Sequence, residues 1–314
     1  MKKILSVMMN PAFDVTVTAE NFCVGATNRV TSKIKQPAGK GFNAGAVARR
    51  FYPAVSLLAF CPAPDRTAFA EAAQAALLDS SFVEVGGSVR TNLKIVDTLA
   101  SVTTELNEKG FSVTEHDLDA MLTCFCEQLA DSAAVIITGS LPEGAPKDFY
   151  KTCIQLANEK QVKVILDAEG AAFSLGVSAA PFAVKPNLSE LEQFVGRRLS
   201  SDEAIIDAMK AIQAGGVSLV TASLGERGAF FMKQEELIFA PSPKVLVKST
   251  VGAGDSMAAV LAWGVVEDIP LSQLACFATA AGSVTASKAG TELCKYEEVQ
   301  DISREVAIRH VKKD

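Results

Sequence analysis

The sequence predicts an α/β fold: a mostly parallel central sheet covered by helices on both faces, plus a small antiparallel β-sheet. Two observations carry that prediction. Short, wholly apolar runs alternate with helical patterns for most of the 314 residues, as in βαβ units whose strands are buried on both faces. Two other stretches, Val15–Gln36 and Val89–Leu106, alternate apolar and polar residues with period two, which marks a sheet with one wet face. Together these predict one α/β domain spanning 1–314, with regions about 15–36 and 89–106 forming a small sheet that stands off it.

The elements follow in order. Ile4–Met9 is the first buried strand, and Asn10-Pro11 stops it well short of a signal sequence. After the first alternating stretch come a helix at Gly41–Arg50, a strand at Val55–Phe60 and a helix at Thr67–Leu78. Beyond the second, Thr114–Leu129 opens with capping-box spacing between Thr114 and Asp117. Strands at Ala133–Thr138, Val162–Asp167, Phe182–Lys185 and Ser218–Ala222 then alternate with helices at Lys147–Glu159, Leu188–Val195 and Asp202–Ala214. The last of these helices has Ser200 and Glu203 at capping-box spacing. Ala258–Val266 is a further apolar helix, and Arg309 to Lys313 reads as a solvated basic tail.

Apolar residues make up 49% of the chain and charged ones 21%, which supplies a sizeable core and excludes disorder. The net charge is −6. A protein holding nucleic acid or an anionic membrane through its overall field would carry the opposite sign, so neither partner is expected. Any anionic ligand must then be met by a local cluster of cations or backbone NH groups. No run approaches the ~18 consecutive apolar residues of a membrane span, and a cytoplasmic protein is expected. The seven cysteines are scattered without paired CxxC spacing and read as small buried hydrophobes. The two histidines, His116 and His310, fall in a polar helix opening and in the basic tail, which argues against a His-based triad or metal cluster.

Four segments carry candidate chemistry. Ser249-Thr250-Val251-Gly252-Ala253-Gly254-Asp255-Ser256-Met257 precedes an apolar helix. Small residues at such a turn let backbone NH groups converge on an anion, and the helix dipole adds positive potential. Asp255 then sits in the first helical turn, either as a proton acceptor for an attacking hydroxyl or as an ordinary helix cap. In Gln36-Pro37-Ala38-Gly39-Lys40-Gly41-Phe42-Asn43, the glycines allow close backbone approach, Lys40 offers a cation and Asn43 both a donor and an acceptor. Asn187 and Glu190, three apart at a helix start, fit either a capping box or the orientation of hydrated Mg²⁺ near phosphates. Ser223-Leu224-Gly225-Glu226-Arg227-Gly228 is a glycine turn after a strand, read as a hairpin on its own or as a bed for a nucleotide.

In this order the four segments resemble the PfkB family of sugar kinases, which share the ribokinase-like fold. The resemblance runs from Asn10-Pro11-Ala12-Phe13-Asp14 to Ala281-Gly282-Ser283. Arg90-Thr91-Asn92-Leu93-Lys94, Thr104–Gly110 and Gly139-Ser140-Leu141-Pro142 look like the family's 1-phosphofructokinase and tagatose-6-phosphate kinase branch. The resemblance implies a three-layer fold with a β-sheet lid that often pairs two subunits, hence a homodimer. It also implies ATP, Mg²⁺ and a sugar-phosphate acceptor, fructose 1-phosphate ahead of tagatose 6-phosphate.

By matching positions, Asp255 is the expected base, with Gly252, Ala253 and Gly254 as the anion hole. Asp14, Gly39 and Asn43 hold sugar hydroxyls, Lys40 and Arg90 face the phosphate already on the sugar, and Ser140 belongs to the same substrate group. Lys185, Asn187, Ser223, Gly225 and Gly228 lie along ATP, and Asn187 and Glu190 serve Mg²⁺ through water. Three positions depart from the family pattern: Ala38 replaces a glycine, Cys61 to Thr67 replaces a glycine-rich loop, and Val260 stands where glycine is common. A silent sugar-phosphate sensor of the same fold would be expected to lose Asp255 or a turn glycine. A nicotinamide oxidoreductase would need GxGxxG after the first strand, where Asn10-Pro11-Ala12 stands.

Overall fold

The computed structural model describes residues 2–312. The first part of the chain forms β1 (Lys3–Met8), β2 (Ala12–Ala19), β3 (Val30–Ala38), α1 (Lys40–Phe51), β4 (Val55–Pro62), α2 (Arg66–Ala75), β5 (Asp79–Val85), β6 (Arg90–Asp97) and β7 (Val102–Asn107). It continues with α3 (Glu115–Leu129), β8 (Ser132–Thr138), α4 (Phe149–Glu159), β9 (Lys163–Asp167), α5 (Gly170–Val177), β10 (Ala183–Val184), α6 (Leu188–Val195) and α7 (Asp202–Ala214). The last part comprises β11 (Leu219–Ser223), β12 (Ala229–Lys233), β13 (Glu236–Ala240), α8 (Ala253–Val266), α9 (Leu271–Ala286), α10 (Tyr296–Ser303) and β14 (Arg309–His310).

Ten strands form one sheet in the order β14-β13-β12-β11-β10-β9-β8-β1-β4-β5. Every pairing from β11 to β5 is parallel, and the β11–β14 edge is antiparallel. The apolar runs are apolar on both faces because both faces are covered. Ile4 and Met8 of β1 join one core with α1, α2, α8 and α9, while Leu5 and Val7 join the other with α3, α4 and α7. Almost every residue of α8 is buried, as expected of a helix that is apolar all round. It lies between the sheet, α1 and α9.

The two alternating stretches form a separate four-stranded sheet in the order β3-β2-β6-β7. Its two hairpin pairs are antiparallel and its central β2–β6 pair is parallel. The register sets one row of Lys35, Val15, Leu93 and Leu106 and another of Gln36, Asp14, Asn92 and Asn107. One face is therefore largely apolar and the other polar.

Several details differ from the sequence expectation. The basic end is not a free tail, since Arg309 and His310 pair with Phe239 and Ile238 at the sheet edge; Lys313, like Met1, lies outside the described residues. Thr114 and Asp117 do form the reciprocal capping box, but α7 is capped by Ser201 rather than Ser200. Cys61, Cys153 and Cys294 are buried, whereas Cys23 is exposed in a turn that Asn28 closes through the Cys23 backbone. No helix among the described residues is long and apolar enough to cross a membrane.

Candidate active site

The carboxyl ends of the parallel strands open under the polar face of the small sheet into a cleft of about 1350 Å³. Two helices aim their N-termini into it. α1 begins at Gly39 and α8 at Gly252, and neither start carries a side-chain cap. Their free NH groups and dipoles favour an anion in the cleft. Both starts need glycine: Gly39 has φ +147° and a Cβ there would stand 2.4 Å from the Met8 sulfur, while Gly252 has φ +79° and its Cβ would stand 2.6 Å from Leu293. Behind the second turn, Ser256 Oγ donates to the Gly252 carbonyl at 2.9 Å and lies 2.8 Å from Thr285 Oγ1, which accepts from the Cys294 NH at 3.1 Å.

Asp255, in the first turn of α8, is buried and is not a helix cap. Its Oδ2 accepts a 2.8 Å hydrogen bond from Asn43 Nδ2, which ties the two helix starts together. Burial, seconded by the charge of Asp167, pushes its carboxyl up to about 6, against the pull of Asn43, Lys40 and Lys185. A carboxylate near that value exchanges protons readily around neutral pH. Asp167 itself forms a buried ion pair with Lys185 at 3.0 Å, and Thr138 Oγ1 donates to it at 3.3 Å. Burial opposes the Lys40 ammonium, but Asp167, Asp255, Glu169 and Glu190 together raise its pKa above the usual lysine value. Glu169 acts on Arg90 as well, and Lys40 and Arg90 line the same cleft.

Arg90 stands at the small-sheet end, where burial lowers its pKa and Asp14 and Glu169 oppose the shift. Asp14 accepts from Asn92 Nδ2 at 3.0 Å and from Lys94 Nζ at 3.3 Å. At the opposite end Asn187 and Glu190 cap each other across the start of α6, both bonds at 2.9 Å. Asn187 also bridges to Ser223, beside the Gly225–Gly228 turn. Burial raises the Glu190 carboxyl, with the Asn187 NH and Lys185 opposing.

The cleft brings together every sequence-derived candidate except Ser140. Ser140 instead accepts from Asn10 Nδ2 at 3.2 Å, and Arg90 donates to the Asn10 carbonyl at 3.5 Å, so it stands behind the Arg90 end. Sequence reasoning missed Asp167, Asn92 and Lys94 as members of the site. Asp167 closes an apolar strand, and polar residues at strand carboxyl ends are a usable signal in α/β sheets.

No set of three or more His, Cys, Asp or Glu able to hold a metal occurs among the described residues. Hydrated Mg²⁺ bound with phosphates asks for only one or two carboxylates. Glu190, with one oxygen engaged by the Asn187 NH, fits that lesser demand.

The profile of the pfkB family carbohydrate kinases matches residues 5–298. A 1-phosphofructokinase of Rhodobacter capsulatus is 33% identical over 308 residues, covering 98% of each chain. Among solved structures, phosphofructokinase-2 from Escherichia coli superimposes with a TM-score of 0.90 at 24% identity, covering 97% of this chain and 99% of that one. Ribokinase from Thermotoga maritima does so with a TM-score of 0.79 at 19% identity, covering 97% and 100%. The architecture is therefore ribokinase-like.

Proposed function

Since the chain belongs to the pfkB family of carbohydrate kinases, we propose that it phosphorylates fructose 1-phosphate to fructose 1,6-bisphosphate. It is a sugar-phosphate kinase with ATP as donor. The observation that carries the reading is Asp255, buried beside two uncapped helix starts and held by Asn43. Phosphoryl transfer depends mostly on positioning and charge neutralisation. In this reading Asp255 takes the proton of the attacking hydroxyl, and the NH groups of Gly252, Ala253 and Gly254 meet the transferring phosphoryl oxygens. Gly39, Asn43 and Asp14 orient the sugar.

Lys40, at the start of α1, and Arg90 line the same cleft and face the phosphate already on the sugar. Lys185, Asn187 and the Ser223–Gly228 turn line the triphosphate. Mg²⁺ brought with ATP would neutralise phosphate charge, with Glu190 and Asn187 beside it.

Turnover of fructose 1-phosphate, tagatose 6-phosphate and unphosphorylated fructose on one panel tests the acceptor. Arg90→Ala is expected to raise the KM for sugar phosphate and leave that for ATP nearly unchanged, because its charge-assisted contacts reach only the acceptor. Equal use of fructose itself would refute the claim that the acceptor already carries a phosphate.

The small sheet is assigned as a lid that excludes water on closing and as the contact of a homodimer. The base of its apolar face is covered, since Phe13 and Val15 are buried and Val17 and Leu93 pack on the core. Farther out, Val30, Val102 and Leu106 are each 54% exposed. A second copy would cover them together with the free edges of β3 and β7. Light scattering at micromolar concentration should return twice the mass of the chain; a monomer of full activity would count against the dimer.

A further inference from the structure

β6 runs parallel to β2, with Asn92 opposite Asp14 and Lys94 opposite Thr16. Side chains alternate along a strand, so Arg90, Asn92 and Lys94 share the face that lines the cleft. Asn92 and Lys94 engage both oxygens of Asp14: Oδ1 accepts from the Asn92 amide and Oδ2 from the Lys94 ammonium. The ion pair is nearly closed to solvent, its two side chains 12% and 8% exposed.

The Asn92 amide shows what this arrangement costs. Only its NH₂ can meet a carboxylate, so its oxygen must point away. That oxygen is buried and has no hydrogen-bond partner among the described residues. A buried acceptor left unpaired lowers stability. The gain that offsets it is the grip on Asp14.

We propose that Asn92 and Lys94 are positioning residues for acceptor recognition, which fix the Asp14 carboxylate in one orientation before the sugar arrives. A carboxylate accepts hydrogen bonds and donates none. With its orientation set, its remaining lone pairs select sugars that present hydroxyls at the matching places. The selectivity of the site toward ketohexose phosphates then depends on two residues that need not touch the reacting atoms. This inference rests on the sugar-phosphate kinase reading above.

The test uses the full chain with Lys94→Met, Lys94→Arg and Asn92→Leu, assayed on fructose 1-phosphate and tagatose 6-phosphate. Lys94→Met should raise the acceptor KM about 10- to 100-fold, as expected for losing a hydrogen bond to a charged group. The ATP KM should stay at the wild-type value, and the ratio of kcat/KM between the two acceptors should narrow. Lys94→Arg, which keeps a cation on Asp14, should recover most of the loss. Asn92→Leu should raise the acceptor KM too, with the ATP KM at the wild-type value; its Tm carries two opposed changes, the unpaired amide oxygen removed and Asp14 Oδ1 left without its donor.

An acceptor KM at the wild-type value in both Lys94→Met and Asn92→Leu, in an enzyme whose wild type turns over a ketohexose phosphate, overturns the inference alone. A parallel loss of Tm and ATP affinity in both variants also overturns it, because that pattern means fold support. If the wild type turns over no ketohexose phosphate, the kinase reading fails and the inference falls with it.

Discussion

Asp255→Asn is expected to lower kcat by about 10²–10⁴-fold, the usual cost of losing a positioned base, while ATP affinity stays near the wild-type value. The amide keeps the size of the side chain, and its oxygen still accepts from Asn43. What it lacks is a basic oxygen. The sign of the stability change is informative as well. Burial raises the Asp255 carboxyl to about 6, above its value in an unfolded chain, so the ionised form destabilises the fold at neutral pH and that penalty fades as pH falls through about 6. The variant should therefore melt at or above the wild-type Tm at pH 7 to 8. A helix cap would behave in the opposite way, with lower Tm and normal turnover. Wild-type kcat/KM should rise with pH through about 6 as the base ionises, and the residual activity of the variant should lack that limb. Turnover like wild type in a variant that melts earlier would remove Asp255 from the mechanism.

The largest stability effect is expected at Lys185. Its ion pair with Asp167 leaves each side chain only 5% exposed. Breaking such a pair by removing one partner typically costs about 3–5 kcal/mol, because the other charge stays buried and unpaired. Lys40 also acts on Asp167 and tempers the loss, so the lower end of that range is expected for Lys185→Met. In a chain of this size that is a fall in Tm of roughly 5 °C. Adding Asp167→Leu to Lys185→Met should restore much of it, since an apolar pair carries no desolvation penalty. Lys185 also holds the Asp255 carboxyl down, so Lys185→Met should shift the acid limb of kcat/KM to higher pH. Thermal melting of the single and double variants, with a pH profile of the single one, checks both expectations. A single variant as stable as wild type would show that the pair is not closed off from water.

How much was legible in the sequence depended on whether a residue's role was written into its neighbours. β1, β4, β8, β9 and β11 were legible because burial on both faces leaves a largely apolar run. β5 was not, since a strand at the sheet edge has polar positions such as Asp79 and Ser81 in its burial pattern. β14 is two polar residues, Arg309 and His310, paired with β13 at the sheet edge, and nothing local separates it from a tail. The helix starts at Gly39 and Gly252 were readable because close approach and positive φ demand glycine there. Asn92, Lys94 and Asp167 were not, because their partners lie far away in sequence: Asp14 for the first two, Lys185 for the third. Asn187 and Glu190 fit a capping box and a metal-orienting pair equally well by spacing, and the structure shows them capping each other.

The position of β1 in the large sheet bears on how the chain is made. β1 lies between β4 and β8, both of which follow it in the chain, with Ile4 opposite both Val55 and Ala134. No nascent chain that ends before β8 can satisfy both edges of β1. Until then Ile4 to Met8 stay half-paired, with an apolar edge open to the wrong partner. Closing so long a loop is slow, so the first strand of the large sheet waits on a partner more than a hundred residues away before the cleft can form.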